Sequence, residues 1–379
     1  MTAPVVIIGG GFGGLYTALE LSRRPGHPPL LLLEPRDRFI FLPFLYELLS
    51  QELPLWQIAP RYDALLAGHG IGWLRDRVVA LDPGRHQIST QGGQTLSYSR
   101  LVLAWGAELD SCGVPGVLEH AQGFRTLADV ERLQALVQRL KATPRPLQRL
   151  VVVGAGPAGV ELACKLADLL QGAALVELLE RGPIALPQAR SFNREQALLA
   201  MQRKDVRLRC HCQVQAVTAE GLLLGQGEQL TAAGVIWTAG QRSRPPLGIS
   251  PGAVPCKATL EVENLPDVFA LGDGAKVSHE PALAATAQVA FQQAPLLATN
   301  LLHSLAGEPL ENFQWKDLGE MLSLGIGEAS LTGMGFTLAG PVAQQLRRWA
   351  YLTRLPGQSL PLKVAADWLA EWTANPLQR

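Results

Sequence analysis

Cysteine is scarce in this chain, with five in 379 residues. An odd, sparse set argues against a disulfide framework and fits a reducing compartment. Cys210 and Cys212 alone lie close together, within Val206-Arg207-Leu208-Arg209-Cys210-His211-Cys212-Gln213-Val214. Strict alternation there predicts one strand, with both thiols on its buried face beside Val206, Leu208 and Val214. Core packing is the expectation; a metal or redox pair is the alternative. Net charge is also lacking: 33 basic residues balance 33 acidic ones, which leaves no field to draw nucleic acid. No apolar run reaches the roughly 18 residues of a membrane-spanning helix. The first strand pattern begins at about residue 4, so a cleaved leader is not expected. With 47% apolar and 17% charged residues, the chain is long enough for two cored domains and a small appendage.

What is present is a doubled pattern. Val5-Val6-Ile7-Ile8 runs into Gly9-Gly10-Gly11-Phe12-Gly13-Gly14, and Val151-Val152-Val153 runs into Gly154-Ala155-Gly156-Pro157-Ala158-Gly159. Each unit has an acidic residue closing its next apolar strand, Glu34 after Leu30–Leu33 and Glu180 after Leu175–Leu179. One such glycine motif is weak; two complete strand–glycine–helix–strand–acid units are strong. The first glycine permits the turn out of the strand, the second lets a pyrophosphate approach, and the third lets the helix pack closely. The helix N-terminus faces the phosphates, and the acid suits a ribose hydroxyl. Two bound nucleotides suggest electron transfer between them.

The pattern predicts strands at 4–9 and 30–34 around a helix at 13–23, meander strands over 71–105, and a helix near 127–141. A second unit spans 151–240. Val268-Phe269-Ala270-Leu271-Gly272-Asp273-Gly274 reads as a buried strand ending in Gly-Asp, before an apolar helix from about 282 to 304. The fold class is therefore α/β: two Rossmann-like three-layer domains, the first split in sequence by the second, plus a small C-terminal helical element.

This arrangement resembles the two-dinucleotide-binding flavoproteins. Phe41-Leu42-Pro43-Phe44-Leu45-Tyr46, Gly113-Val114-Pro115-Gly116, Gly159-Val160-Glu161-Leu162-Ala163 and Ala287-Gln288-Val289-Ala290-Phe291-Gln292-Gln293 resemble the type II NAD(P)H:quinone dehydrogenases. Leu338-Ala339-Gly340-Pro341 and Ala350-Tyr351-Leu352-Thr353-Arg354-Leu355-Pro356 are similar to the C-type enzymes of cyanobacteria and chloroplasts. Those enzymes reduce prenylated quinones, including a demethylated precursor of phylloquinone. The resemblance implies an FAD domain over 1–112 and 244–308, an NAD(P)H domain over 113–243, and a membrane-surface or dimerisation element over 309–379.

The resemblance also implies roles. Gly9, Gly11 and Gly14 with Glu34 hold the AMP half of FAD, Val79 offers its backbone to the adenine, and Asp273 binds the ribityl chain or pyrophosphate; a helix N-cap after the strand is the alternative for Asp273. Phe12, Gly13, Arg36, Pro43, Ala104, Trp105, Gly106, Gly272 and Ala287 complete the FAD set. Gly154, Gly156, Pro157, Gly159, Glu180 and Gly240 hold NAD(P)H. Glu180 favours the free ribose hydroxyl of NADH, while Arg181 leaves NADPH tolerated. Gln288 and Gln292, four apart on one helix face, meet the flavin or the quinone; the alternative is a polar stripe capping neighbouring backbone. Glu161 relays protons or positions nicotinamide, or is a solvated helix carboxylate. Trp105 stands where the family has threonine, and Pro295 should kink or restart its helix.

The implied reaction is a non-pumping, FAD-dependent transfer from NAD(P)H to a membrane prenylquinone of plastoquinone or demethylphylloquinone type. No metal is expected. Rival readings are a sulfide:quinone oxidoreductase, a ferredoxin or rubredoxin reductase, and a non-enzymatic NADH sensor. The first needs a cysteine beyond Cys256 to pair with Cys164, and a disulfide reductase needs cysteines within 35–60; the sequence has neither. Leu346, Trp349, Ala350 and Leu352 with Arg347, Arg348 and Arg354 suggest an amphipathic basic helix, and Val364, Trp368, Leu369 and Trp372 a second stripe. These predict peripheral attachment to a membrane surface, which the resemblance puts at the cytoplasmic side of a thylakoid or plasma membrane; packing on the core or on a second copy of the chain is the alternative.

Overall fold

The computed structural model describes residues 3–143, 148–243, 245–246, 248–249, 252–278 and 286–374. Its first sheet has five parallel strands, in the order Val268–Ala270, Arg100–Leu103, Val5–Ile8, Leu30–Leu33, Ile71–Leu74. The second has four, in the order Arg207–Arg209, Leu175–Leu179, Arg149–Val153, Gly234–Trp237, again all parallel. The β-branched strands Val5–Ile8 and Arg149–Val153 sit centrally, where both faces are covered. Leu30–Leu33 has no strand preference of its own; burial between two neighbours imposes it. Each sheet is joined by a three-stranded antiparallel meander, over Val78–Ser97 in one case and Val214–Thr231 in the other.

The strand from 268 hydrogen-bonds to Arg100–Leu103, so the first sheet is completed by chain that returns after the second is built. The helix Phe12–Ser22 packs along Ala287–Ala306, across the same return. Glu108–Leu109 pairs with Gln241–Arg242 and ties the two crossings between domains together. Phe39 to Leu49 straddles the boundary: Phe39, Phe41 and Phe44 enter the first core, while Ile40, Leu45, Tyr46 and Leu49 enter the second.

Several expectations are corrected. Ile71–Leu74 is the edge of the parallel sheet rather than part of a meander. The run through Cys210 and Cys212 is broken: Arg207–Arg209 ends, His211 takes a left-handed φ of 53°, and a new strand starts at Val214. Cys212 is buried but Cys210 only half-buried. Pro295 lies inside one continuous helix, Ala287–Ala306; the start expected at 282 lies outside the described residues. Before its two helices, Pro341–Leu352 and Ser359–Ala374, the C-terminal element adds an antiparallel sheet of Glu320–Ser323, Ala329–Gly333 and Phe336–Gly340.

Candidate active site

The two glycine turns are built alike. Gly9 and Gly154 have φ of 97° and 101°, a region that favours glycine. A Cβ on Gly14 would run into the carbonyl of Gly9, and one on Gly159 into that of Gly154. A Cβ on Gly11 or Gly156 would meet nothing within 4 Å. The third glycine is thus required by packing, and the second leaves space for a ligand. The acids follow the same plan. Glu34 accepts from Gly10 N at 2.8 Å, and Glu180 from Ala155 N at 2.8 Å and Gly182 N at 2.7 Å. Arg36 grips Glu34 with two donors, 2.8 and 2.9 Å. Burial would raise the Glu34 carboxyl, but Arg36 and Gly10 N–H together hold it below its usual range.

A cleft of about 850 Å³ starts at this turn and runs past Gly11, Glu34, Arg36, Val79, Trp105 and Gly106 to Gly272, Asp273 and Ala287. The open space over Gly11 and the volume of the cleft fit FAD. Trp105, the departure from the family pattern, donates from its indole to Ser243 Oγ at 2.5 Å and lies against Gly274, filling the wall without closing the cleft. Asp273 does not cap a helix. Its carboxylate lies 3.9 Å from Arg125, and burial raises its pKa against that attraction.

A second cavity of about 390 Å³ meets the first at Phe12, Arg125, Asp273 and Ala287. Pro157, Trp237 and Gly240 from the second domain, Pro43 and Tyr46 from the bridging segment, and Gln288 and Phe291 from the long helix wall it. Arg347 and Tyr351 from the C-terminal helix close it. Glu161 lies in this cavity, buried, accepting from Ser323 N at 2.8 Å. Burial pushes its carboxyl up to about 7, against the pull of Arg347 and the Ser323 N–H. It is not a solvated helix carboxylate.

The residues 3–294 match the family model for pyridine nucleotide-disulphide oxidoreductases. The chain is 36% identical to the demethylphylloquinone reductase NdbB of Synechocystis, covering 98% of each, and 36% identical to the alternative NAD(P)H-ubiquinone oxidoreductase C1 of Arabidopsis thaliana, over 97% of this chain and 80% of the relative. The Plasmodium falciparum NDH2 structure in complex with NADH superposes with a TM-score of 0.87 at 16% identity, over 100% of this chain and 99% of that one. The chain belongs to the pyridine nucleotide-disulphide oxidoreductase family, in its type II NADH:quinone oxidoreductase branch. As a type II oxidoreductase it uses FAD and NAD(P)H.

For such an oxidoreductase the glutamines divide. Gln288 lines the second cavity, but Gln292 spends its amide on the Lys316 backbone, donating at 2.9 Å and accepting at 3.2 Å. That is the capping alternative. Gln293, given no role from sequence, accepts from Gly272 N at 2.8 Å and holds the Gly-Asp turn. Arg125 was missed as well, although it lines both cavities; no spacing marks a lone arginine. Cys164 is wholly buried, its thiol pushed up to about 12 by burial, which suits packing rather than redox exchange. Among the described residues no group of histidine, cysteine and carboxylate side chains could hold a metal.

Proposed function

We propose that this chain passes a hydride from NAD(P)H to FAD and then two electrons to a membrane quinone bound in the smaller cavity. The observation that carries this reading is a buried, protonatable carboxylate, Glu161, in an aromatic-walled cavity continuous with the flavin cleft. The Synechocystis and Arabidopsis relatives are named for demethylphylloquinone and ubiquinone, both quinones. FAD, when bound, supplies the two-electron chemistry that links a hydride donor to a quinone.

The chain's own residues position and protonate. Gly9, Gly11, Glu34 and Arg36 would hold one end of the cofactor, with Gly14 letting the helix pack close to the turn, and Asp273, Arg125 and the turn held by Gln293 would meet the rest of it. Gly154, Gly156, Gly159 and Glu180 form the nicotinamide dinucleotide's cradle, with Pro157, Trp237 and Gly240 leading into the cavity. Glu180, which already accepts two backbone N–H groups, meets a ribose hydroxyl better than a 2′-phosphate, so NADH is the preferred donor. Gln288 offers an amide donor to a quinone carbonyl, and Glu161, pushed up to about 7, keeps a share of its carboxyl protonated near neutral pH to give that proton. Phe41, Phe291 and Tyr351 exclude water around the ring.

A membrane surface is the second partner. No helix among the described residues is long and apolar enough to cross a membrane. Val342, Leu346 and Trp349 nevertheless lie 63%, 44% and 41% exposed along one face of the helix that closes the cavity. A face of this kind suits peripheral attachment, with the quinone reaching the cavity from the bilayer. Steady-state turnover of the FAD-loaded protein with NADH and NADPH against a panel of quinones tests the reading. No turnover with any quinone would sink it.

A further inference from the structure

We propose that Trp105 and Trp237, one from each dinucleotide domain, clamp the two crossings between the domains and so set the distance between the bound flavin and nicotinamide. This rests on the hydride step of the reading above and not on the quinone. The hydride carries two electrons and one proton from nicotinamide to flavin, and no other reactant enters. Such a transfer needs donor and acceptor atoms about 3–3.5 Å apart, and a misplacement of about 1 Å can cost about 100-fold. Here the two cradles belong to different domains, one at Gly9–Gly14 and the other at Gly154–Gly159. Their spacing is set by whatever joins those domains.

The join is slight by itself. Glu108–Leu109 and Gln241–Arg242 form a two-residue antiparallel ribbon, with Leu109 opposite Gln241 and Glu108 opposite Arg242. A ribbon so short has little stability of its own. The tryptophans hold it from both sides. Trp105 follows the strand Arg100–Leu103, which lies beside the first glycine-turn strand; Trp237 ends Gly234–Trp237, which lies beside the second. Trp105 donates its indole N–H to Ser243 Oγ, on the returning crossing, at 2.5 Å. Trp237 donates to the carbonyl of Asp110, on the outgoing crossing, at 2.8 Å. Asp110 then closes the ribbon: its N–H donates to the Gly240 carbonyl at 3.1 Å, and its carboxylate meets Arg242 at 3.3 Å.

Each indole is fixed where it stands. Ser243 is buried, so little water competes for its hydroxyl. The Trp105 ring lies against Gly274, where a Cβ would come within 3.3 Å of it. Trp237 is buried among Val151, Val153 and Leu179 in the second domain. A buried indole brings an N–H that must find a partner. Both are spent on the crossings rather than inside their own domains. Each tryptophan also lines one cavity, Trp105 the larger and Trp237 the smaller, and Gly240 and Gln241 of the returning crossing line the smaller one too. A shift of the ribbon at Ser243 is therefore carried to the wall against which nicotinamide lies.

The test uses the FAD-loaded protein, reduced by NADH in anaerobic stopped flow. Ser243→Ala and Trp105→Phe should each lower the limiting rate of flavin reduction about tenfold, with the dissociation constant for NADH unchanged. The double variant should be no slower than the slower single, because one bond is lost either way. Ser243→Thr, which keeps the hydroxyl, should restore the rate. Trp237→Phe, which keeps a ring on the cavity wall, should slow reduction likewise. In Ser243→Ala the long-wavelength absorbance of nicotinamide lying against flavin should weaken. Amide exchange at 108–110 and 241–243 should quicken there while Arg149–Val153 stays protected. Should Trp105→Phe fail to retain FAD, Ser243→Ala carries the kinetic and exchange arms. Wild-type reduction rates in Ser243→Ala or Trp237→Phe, losses that multiply in the double variant, or weaker NADH binding at an unchanged limiting rate would overturn the clamp. Failure of the wild-type protein itself to be reduced by NADH would instead overturn the hydride reading.

Discussion

The carboxylate of Glu161 accepts a 2.8 Å hydrogen bond from the backbone N–H of Ser323, joining the helix Pro157–Leu170 to the C-terminal sheet at the cavity wall. Burial has moved this group from an ordinary 4.5 to about 7. Its proton-donating form is therefore present below that pH and lost above it. Quinone-dependent turnover should fall as pH rises through about 7, and Glu161→Gln should both flatten that limb and lower turnover by ~100-fold. The same shift has a stability sign. The folded state holds the proton more tightly than the unfolded one, so this group's contribution is full below 4.5 and is lost as pH rises through about 7. Glu161→Gln should remove that decline, which thermal unfolding across pH 4 to 8 would measure.

Gly11 and Gly14 separate binding from folding. Gly11→Val places a side chain in the open space of the cleft, so the protein should fold and lose FAD affinity at least tenfold, read by flavin content and titration. Gly14→Ala drives a Cβ into the Gly9 carbonyl, so soluble protein should fall before any cofactor effect can be read.

Arg347 and Glu47 are a buried pair, and such pairs are costly to break singly. Arg347→Met leaves a buried carboxylate uncompensated and should cost about 3–5 kcal/mol, seen as a lower unfolding midpoint. The double variant Arg347→Met, Glu47→Leu should recover most of it. If the double is no more stable than the single, the ion pair is not what holds the helix.

Much of this was legible in the sequence where backbone chemistry dictates residue type. Both glycine turns, their acids and the Gly-Asp strand follow from steric demands that few residues meet. Gln292 was not legible, because spacing puts two amides on one face but cannot say that Lys316 turns back to claim one of them. Cys210 failed for a related reason: alternation persists through a left-handed residue at His211 that breaks the strand. The basic stripe on the last helices misled most. Arg347 is 1% exposed and faces inward, held by a glutamate 300 positions earlier that no local pattern reveals.

That inversion changes how membrane attachment must be tested. Removing everything from about residue 340 takes away Arg347, leaves Glu47 unpaired, and strips Trp368, whose indole donates to Gln57 at 2.8 Å, from the first core. Such a truncation would lose its fold along with any surface. The exposed Val342 and Leu346 lie one turn apart and touch neither cofactor cradle, whereas Trp349 also packs edge-on against Trp368, so the first two can be changed alone. Val342→Ser and Leu346→Gln together should leave FAD content and soluble-quinone turnover intact while liposome co-sedimentation falls at least tenfold. Turnover with a long-chain quinone embedded in those liposomes should fall in parallel, because its delivery depends on the same face. Unchanged sedimentation would move that face from the bilayer to a protein contact.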